Sequence, residues 1–205
     1  MFDFSSLDGM TVFIWIIACV AAYLIGNLSP ATLIGRASGV DIRKEGSGNP
    51  GTTNVLRVMG KKAALLTLLI DILKGAAAVW IGKLLGGEAL SVLCGFAVFL
   101  GHIFPVFYKF KGGKGVATAF GVLLTLHPIM ALICLAIAAL GFVTARRVSV
   151  GSLMAALSLP LLAWYYMTDY IVVYTIMAII VLIKHKSNFQ RLIRGEEPKI
   201  SFKKK

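Results

Sequence analysis

Acidic residues, cysteines and histidines are scarce in this chain. Nine Asp and Glu stand against 21 Lys and Arg, and there are three histidines and three cysteines. Divalent metal ions are usually held by clustered carboxylates, so this scarcity argues against a metal site. Cys19, Cys94 and Cys134 are isolated in apolar segments without a C-x-x-C pair, and we interpret them as small packing residues. We therefore predict no metal and no cofactor.

The amino terminus lacks the basic residues of a secretory signal. The first ten residues contain Asp3 and Asp8 and neither Lys nor Arg. A cleavable signal peptide begins with a positively charged region, so we expect the first apolar segment to stay in the protein.

Apolar residues make up 58 % of the chain, and the mean hydropathy is +0.85. A soluble domain of this length cannot bury so much apolar surface, so the composition indicates an integral membrane protein. A helix needs about 20 apolar residues to cross ~30 Å of hydrocarbon. We predict an all-α integral membrane protein with seven transmembrane helices, at residues 10–34, 63–82, 89–108, 115–127, 129–145, 150–167 and 170–184.

The fourth span is short, and the following His127-Pro128 is either a kink in one long helix or a turn between two helices. The basic residues decide between these alternatives. With seven spans and the N-terminus outside, 19 of the 21 Lys and Arg fall in cytoplasmic segments. Joining the fourth and fifth spans would place the last two basic segments on the outer face. Two separate helices are therefore predicted, with the C-terminus in the cytoplasm.

The net charge of +12 follows from the same topology. The basic residues are spread over short loops between apolar spans, so we expect no nucleic-acid partner. No internal repeat or soluble domain is evident, which predicts a single membrane-embedded domain over residues 1–205. Its end, residues 186–205, is predicted to be a cytoplasmic basic tail that begins with an amphipathic stretch suited to an anionic leaflet.

The first candidate site is the segment 46–57, GSGNPGTTNVLR. Glycines let main-chain N–H groups approach an anion closely, and hydroxyl, amide and guanidinium groups add further donors. An ordinary flexible loop is the alternative interpretation. The candidate phosphate-binding residues in this segment are Ser47, Gly48, Asn49, Thr52, Thr53, Asn54 and Arg57.

The second candidate site is a glycine-rich and lysine-rich loop that leads into an apolar helix. Free N–H groups and the positive end of that helix would converge beside the lysines, which is the outline of a phosphate site. The loop is not a Walker A motif, because Gly115 follows Lys114 where Ser or Thr is required. A cytoplasmic loop whose lysines only set topology is the alternative. The candidates are Lys111, Gly112, Gly113, Lys114 and Gly115.

The third candidate site follows the last span. His185, Asn188, Arg191 and Arg194 are spaced three residues apart, so a helical continuation would present them on one face. An imidazole, an amide and two guanidinium groups can bind one anion together. A solvated basic face is the alternative.

Charged residues also occur inside the second predicted span, where they are costly unless paired or facing a wet cavity. Asp71 and Lys74 stand three residues apart and form either an intrahelical ion pair or part of the wall of a substrate chamber. We include both among the candidate substrate-binding residues. His102, near the end of the third span, is either a structural histidine or a ligand or orienting group.

All three clusters lie on the predicted cytoplasmic side. We therefore predict one polar chamber for one or two phosphates beside a lipid-accessible groove. The alternative function is a small transporter or flippase for a phosphorylated metabolite or lipid. Such a protein needs sites that reach both faces, and it usually shows repeat symmetry or broken helices at the midplane. The one-sided loops favour an enzyme.

The chain resembles the bacterial acyl-phosphate-dependent glycerol-3-phosphate acyltransferases, called PlsY, over nearly its whole length. The segments that carry the resemblance are GSGNPGTTNVLR, the Asp71 to Gly75 element, GHIFPVFYKFKGGKGVAT and HKSNFQRLIRGEE. The resemblance implies transfer of a fatty acyl group from acyl phosphate to the 1-hydroxyl of glycerol 3-phosphate, which gives lysophosphatidic acid and inorganic phosphate. This is the first acylation of phospholipid biosynthesis, in the bacterial cytoplasmic membrane with the active site facing the cytoplasm. The acyl-CoA-dependent enzymes carry an Asp five residues after a His, and none of the three histidines here has one.

Within that resemblance we assign hypothetical roles. Ser47, Arg57 and a lysine of the glycine loop would hold the phosphate of one substrate. The main chain of residues 112–115, His185 and Asn188 would hold the other phosphate, and which phosphate binds where stays open. The residues predicted to act in catalysis are Ser47, Lys114, His185 and Asn188.

The acceptor hydroxyl must lose a proton during the transfer. His185 is the obvious side-chain base, since an imidazole titrates near neutral pH. The rival is the acyl phosphate itself, with His185 donating to phosphate. We favour the rival because the sequence shows no carboxylate near His185 to orient it as a base.

Overall fold

The computed structural model describes residues 8–199, and these residues contain helices and no strand. Predictions for Asp3 and for residues 200–205 of the tail lie outside the described part. The helices are α1 Gly9–Gly26, α2 Pro30–Ala37, α3 Thr52–Met59, α4 Lys61–Ile103, α5 Val116–Leu126, α6 Pro128–Ala145, α7 Val148–Tyr166, α8 Ile171–Lys184 and α9 Lys186–Ile193. The chain divides into two compact units at His127 and Pro128.

In the first unit, α4 is a hairpin of two helical arms. Its helical backbone is interrupted at Gly86 and Gly87, and Gly87 has a φ of 66° that favours glycine. A Cβ on Gly82 would lie 2.6 Å from the Leu90 carbonyl oxygen, and Lys74 Nζ lies 2.8 Å from His102 Nδ1. Residues on both sides of the break therefore face each other, so the two arms run antiparallel.

Glycines allow the neighbouring helices to touch this hairpin with their backbones. A Cβ on Gly101 would lie 2.1 Å from the Tyr23 carbonyl oxygen, where α1 crosses the second arm. A Cβ on Gly121 would lie 2.1 Å from the Ile72 carbonyl oxygen, where α5 crosses the first arm. Small residues at such crossings are typical of helix packing in membranes. These crossings fix the positions of the polar residues next to them.

In the second unit, α6 and α7 cross at Gly141 and Gly151, where an added Cβ on Gly151 would lie 2.1 Å from the Ala138 carbonyl oxygen. The Tyr174 hydroxyl of α8 donates to Met167 Sδ at the end of α7. The α8 helix ends at Lys184, and the chain bends by 53° into α9. His185 lies at this bend.

The described helices support the prediction of an all-helical integral membrane protein. Four helical stretches, Gly9–Ala37, Lys61–Tyr108, Pro128–Ala145 and Val148–Tyr166, are long and apolar enough to cross a membrane, and the bent pair of α8 and α9 makes up to five. The helix breaks at His127, between α5 and α6, as predicted. The first predicted span is interrupted, since α1 ends at Gly26 and α2 begins at Pro30. Large apolar side chains on the outside, such as Phe13 and Trp164, suit a lipid environment.

Candidate active site

The segment 46–51 is an ordered loop rather than a flexible one. The Asn54 side chain is 1 % exposed and holds the loop from within. Its Nδ2 donates to the carbonyl oxygens of Ile42 and Glu45 at 3.2 and 3.0 Å. Its Oδ1 accepts the Ser47 N–H at 2.8 Å. Asn54 was predicted to bind phosphate, but its amide is used to shape the loop.

The loop leads directly into α3, which begins at Thr52 with Gly51 as its N-cap. The first N–H groups of a helix have no acceptor within it, so they face the loop as donors. Thr52 Oγ1 is buried and makes no hydrogen bond to the described residues. Thr53 and Arg57 are four residues apart and share one face of the helix, with Arg57 exposed. Ser47 is exposed and Asn49 half-buried, as an anion site at a loop surface requires.

The second loop lies against the end of the second arm of α4. The Gly112 N–H donates to the Ile103 carbonyl oxygen and the Gly113 N–H donates to the His102 carbonyl oxygen, both at 3.1 Å. These two N–H groups were predicted to face phosphate, and instead they fix the loop to the helix. The donors that remain are those of the first turn of α5, which begins at Val116 after Gly115. The loop lysines, Lys111 and Lys114, shortly precede them in the chain.

The close packing of this loop explains its glycines. A Cβ on Gly112 would lie 2.0 Å from the His102 carbonyl oxygen, and one on Gly113 would lie 2.2 Å from His102 Nε2. Gly115 has a φ of 83°, and a Cβ there would lie 2.5 Å from Phe99 Cε2. Any side chain at these positions would displace the loop.

Arg43 connects the two loops and was missed by the sequence analysis. Its guanidinium donates through Nη1 to the Lys111 carbonyl oxygen and lies 4.8 Å from the centre of the Tyr108 ring. Its Nη2 is buried and makes no hydrogen bond to the described residues. The available signal was its position, four residues before Ser47. Arg43 therefore links the segment that precedes the first loop to the second loop.

The Asp71 and Lys74 side chains form a buried cluster with His102. Lys74 Nζ lies 2.7 Å from Asp71 Oδ1, 2.8 Å from His102 Nδ1 and 2.7 Å from the Leu28 carbonyl oxygen. The Gly26 carbonyl oxygen is a fourth contact of Nζ, at 3.3 Å. These contacts favour the ion-pair alternative, because the Lys74 ammonium is surrounded by protein groups. Asp71 and Lys74 were candidates for substrate binding as well, and we interpret them instead as a support of the site.

In the second unit, Glu197 holds Asn188 in place. Glu197 is 4 % exposed. Its Oε1 accepts from Asn188 Nδ2 at 2.6 Å and from the Ser149 hydroxyl at 2.8 Å, while Oε2 accepts from Arg191 Nε at 2.7 Å. Burial raises the pKa of Glu197, but the three hydrogen bonds and the Arg191 charge more than offset it and hold the pKa below its ordinary value. Glu197 was not among the residues predicted from the sequence, although an acidic residue in a basic tail is a signal.

His185 lies at the start of α9 and is 3 % exposed. Its Nδ1 is 2.8 Å from the Val181 carbonyl oxygen. A carbonyl oxygen only accepts, so Nδ1 carries a proton and Nε2 holds the lone pair of the neutral ring. The group that orients His185 is therefore a main-chain carbonyl, which sequence analysis cannot show.

Comparison with known proteins identifies the family. Residues 16–195 match the family model described as Glycerol-3-phosphate acyltransferase. The chain belongs to this family. It is 43 % identical over 188 residues to the Glycerol-3-phosphate acyltransferase of Shewanella loihica strain ATCC BAA-1088 / PV-4, covering 91 % of this chain and 93 % of that protein. The enzyme of Shewanella woodyi is 43 % identical over 187 residues.

Two solved structures are also similar to this member of the glycerol-3-phosphate acyltransferase family. Both are crystal structures of PlsY, described as an integral membrane glycerol 3-phosphate acyltransferase. The glycerol 3-phosphate form is 35 % identical, covers 94 % of this chain and 96 % of its own, and has a TM-score of 0.85. The lysophosphatidic acid form is 34 % identical with a TM-score of 0.83. The predicted PlsY resemblance is confirmed, and the protein is a multi-pass bacterial membrane acyltransferase of phospholipid synthesis.

Proposed function

We propose that this protein transfers a fatty acyl group from acyl phosphate to the 1-hydroxyl of glycerol 3-phosphate, releasing lysophosphatidic acid and inorganic phosphate. The observation that carries the proposal is the joining of two glycine-rich loops by Arg43, with lysines beside the start of α5. The similar PlsY structures are described as glycerol 3-phosphate and lysophosphatidic acid forms, which supports the acceptor and the product.

We further propose seven membrane crossings, with the N-terminus outside and the active site facing the cytoplasm. The antiparallel arms of α4 support counting that helix as two crossings, since 43 residues in one straight helix would span about 65 Å, twice the hydrocarbon thickness. The placement of 19 of the 21 Lys and Arg supports the orientation. All site residues would then belong to a single functional domain.

The acyl phosphate supplies its own driving force, because phosphate is a good leaving group. The acceptor hydroxyl oxygen attacks the acyl carbon, the carbon–oxygen bond to phosphate breaks, and the hydroxyl proton leaves. Ser47, Arg57 and Lys114 hold one phosphate and stabilise its developing charge, while His185 and Asn188 are assigned as donors to the other phosphate. No nucleophilic side chain is needed.

We assign the hydroxyl proton to an oxygen of the acyl phosphate. His185 would become an imidazolium if it were the base, and its orienting partner is the neutral Val181 carbonyl rather than a carboxylate. His185 then acts as a hydrogen-bonding residue. A His185→Gln variant should lose rate while the pH profile keeps its shape. Loss of a kinetic pKa near neutrality in that variant would assign the base role to His185.

The proposed donor is tested with purified protein in detergent. We would supply glycerol 3-phosphate with either palmitoyl phosphate or palmitoyl-CoA, and follow inorganic phosphate and lysophosphatidic acid together. Equal formation of both products from palmitoyl phosphate alone is expected. Product from palmitoyl-CoA would overturn the donor assignment. No product with either donor, from folded protein, would favour the transporter or flippase.

A further inference from the structure

His102 lies between the buried ion pair and the second glycine loop. On one side, its Nδ1 is 2.8 Å from Lys74 Nζ and 3.3 Å from Asp71 Oδ1. On the other side, its carbonyl oxygen accepts the Gly113 N–H at 3.1 Å. Its Nε2 faces the Cα of Gly113, because a Cβ there would come within 2.2 Å of it. His102 is thus one of the residues through which the hairpin contacts the loop, beside Ile103 and Phe99.

The contacts of Lys74 determine which imidazole nitrogen carries the proton. Paired with the Asp71 carboxylate at 2.7 Å, Lys74 is an ammonium, which has three donors and no acceptor. The Leu28 and Gly26 carbonyl oxygens take two of these donors, and His102 Nδ1 lies in position for the third. Nδ1 must therefore offer its lone pair, since a proton there would face an ammonium at 2.8 Å. The neutral ring then carries its proton on Nε2, on the loop side.

We propose that His102, held in its Nε2-protonated form by Lys74, is a positioning residue for the phosphate-binding loop at residues 111–115. This role rests on the proposed function. Lys114 and the first turn of α5 follow Gly113 directly, so the imidazole sets where these donors stand. The ligand is a terminal phosphate group, and either substrate can supply it. Because His102 acts through the loop, it controls phosphate affinity more than the rate of the bound complex.

Two substitutions at His102 distinguish the role of Nε2, which faces the loop, from the role of Nδ1, which faces Lys74. In His102→Gln, the amide nitrogen replaces Nε2 on the loop side. In His102→Asn, the amide oxygen replaces Nδ1 and accepts from Lys74, but nothing reaches the loop. Removing the ring atoms that pack against Gly113 leaves a cavity beside the loop, which we expect to cost roughly 10-fold in affinity, or about 1.4 kcal/mol. We expect His102→Asn to weaken binding of inorganic phosphate by that factor, and His102→Gln to stay within about 3-fold of the unmodified protein.

The binding measurement is calorimetric titration of the purified protein with inorganic phosphate, accompanied by thermal unfolding of each variant. Equal affinity for phosphate in all three proteins would overturn the proposal, and so would equal weakening in both variants. Steady-state kinetics then identify the source of the phosphate. The KM affected by His102→Asn, for glycerol 3-phosphate or for palmitoyl phosphate, belongs to the substrate that this loop holds, and kcat should change less. An effect on kcat alone would contradict a positioning role.

The protonation of the ring is tested without any substitution at His102. The chain has three histidines, so ¹⁵N NMR of the imidazole nitrogens gives few signals, which His127→Asn and His185→Asn assign. We expect His102 to carry its proton on Nε2 and His185 on Nδ1. A proton on His102 Nδ1 would overturn this inference while the proposed function stands. Failure of the unmodified protein to bind any of the phosphate compounds would overturn both.

Discussion

The two units of this protein hold their candidate site residues by opposite means. In the first unit, glycine-rich loops are shaped by main-chain bonds and by the Asn54 amide, with basic groups around them. In the second unit, one buried carboxylate, that of Glu197, holds Asn188 and Arg191 by accepting hydrogen bonds from both. A loop held by many small contacts loses function when its packing is disturbed. A helix end held by one charge loses its structure when that charge is removed.

Removal of Glu197 should therefore have the largest effect. Glu197→Ala leaves Asn188, Ser149 and Arg191 without their common acceptor, and breaking a buried charge network of this kind costs about 3–5 kcal/mol. We expect a large fall in thermal stability and loss of acyltransferase activity. Glu196→Ala is the matched control, since Glu196 is exposed and adjacent. Similar unfolding temperatures for the two variants would show that the second unit does not depend on the Glu197 carboxylate for its stability.

Gly113→Ala tests the first unit by adding a side-chain atom to a packed loop, whereas Glu197→Ala removes a side chain. The added Cβ would meet His102 Nε2 at 2.2 Å, so the loop must move. Overpacking of this kind costs about 1–3 kcal/mol, which we expect to appear as a roughly 10- to 100-fold rise in the KM of one phosphate substrate. The fold should survive, as circular dichroism and gel filtration would show. Gly9→Ala is the control, because a Cβ at Gly9 meets nothing within 4 Å. Unfolding of the Gly113 variant would show that the loop is structural.

Arg43 tests whether the two loops act as one site. Arg43→Lys keeps the charge but loses the planar guanidinium that reaches the Lys111 carbonyl oxygen and the Tyr108 ring. We expect a loss of roughly 10-fold in kcat/KM, from about 1.4 kcal/mol of lost positioning. Lys44→Ala, at the exposed neighbouring position, should have little effect. Equal activity of both variants would show that the contact between Arg43 and the second loop is not needed for activity.

The same comparison explains what could be predicted from sequence. The glycine loops and the apolar helices are visible in composition, and the break at His127 follows from charge placement. The tight turn at Gly86 and Gly87 separates the two arms of α4, close to the predicted gap between the second and third spans. The internal use of the Gly112, Gly113 and Asn54 groups could not be predicted, because donors look alike in a sequence whether they face ligand or backbone.

Residues that support the site from a distance were the hardest to predict. Arg43 donates to the carbonyl oxygen of Lys111, which is distant in the sequence. Glu197 follows α9 in the chain and accepts from Asn188 within that helix. The partners of Lys74 lie in three separate segments of the chain. Each depends on tertiary packing rather than on local spacing. The Lys74 cluster was predicted as an alternative, since a charge within a span requires a partner.

Acidification should produce the smallest effect, and we expect it to act through the Glu197 carboxylate of the second unit. The pKa of Glu197 lies below its ordinary value of 4.5 in the folded protein, because the bonds from Asn188, Ser149 and Arg191 outweigh the effect of burial. Such a group contributes stability that is fully present above the unfolded pKa and is lost as the pH falls through the folded pKa. The unfolding temperature should therefore fall below about pH 4.5, and Glu197→Gln should flatten that fall while lowering stability at neutral pH. The Gly113→Ala variant should keep the acid slope of the unmodified protein, because the second glycine loop is held by hydrogen bonds to main-chain carbonyl oxygens. An unchanged acid slope in Glu197→Gln would mean that another acidic group links the second unit to pH.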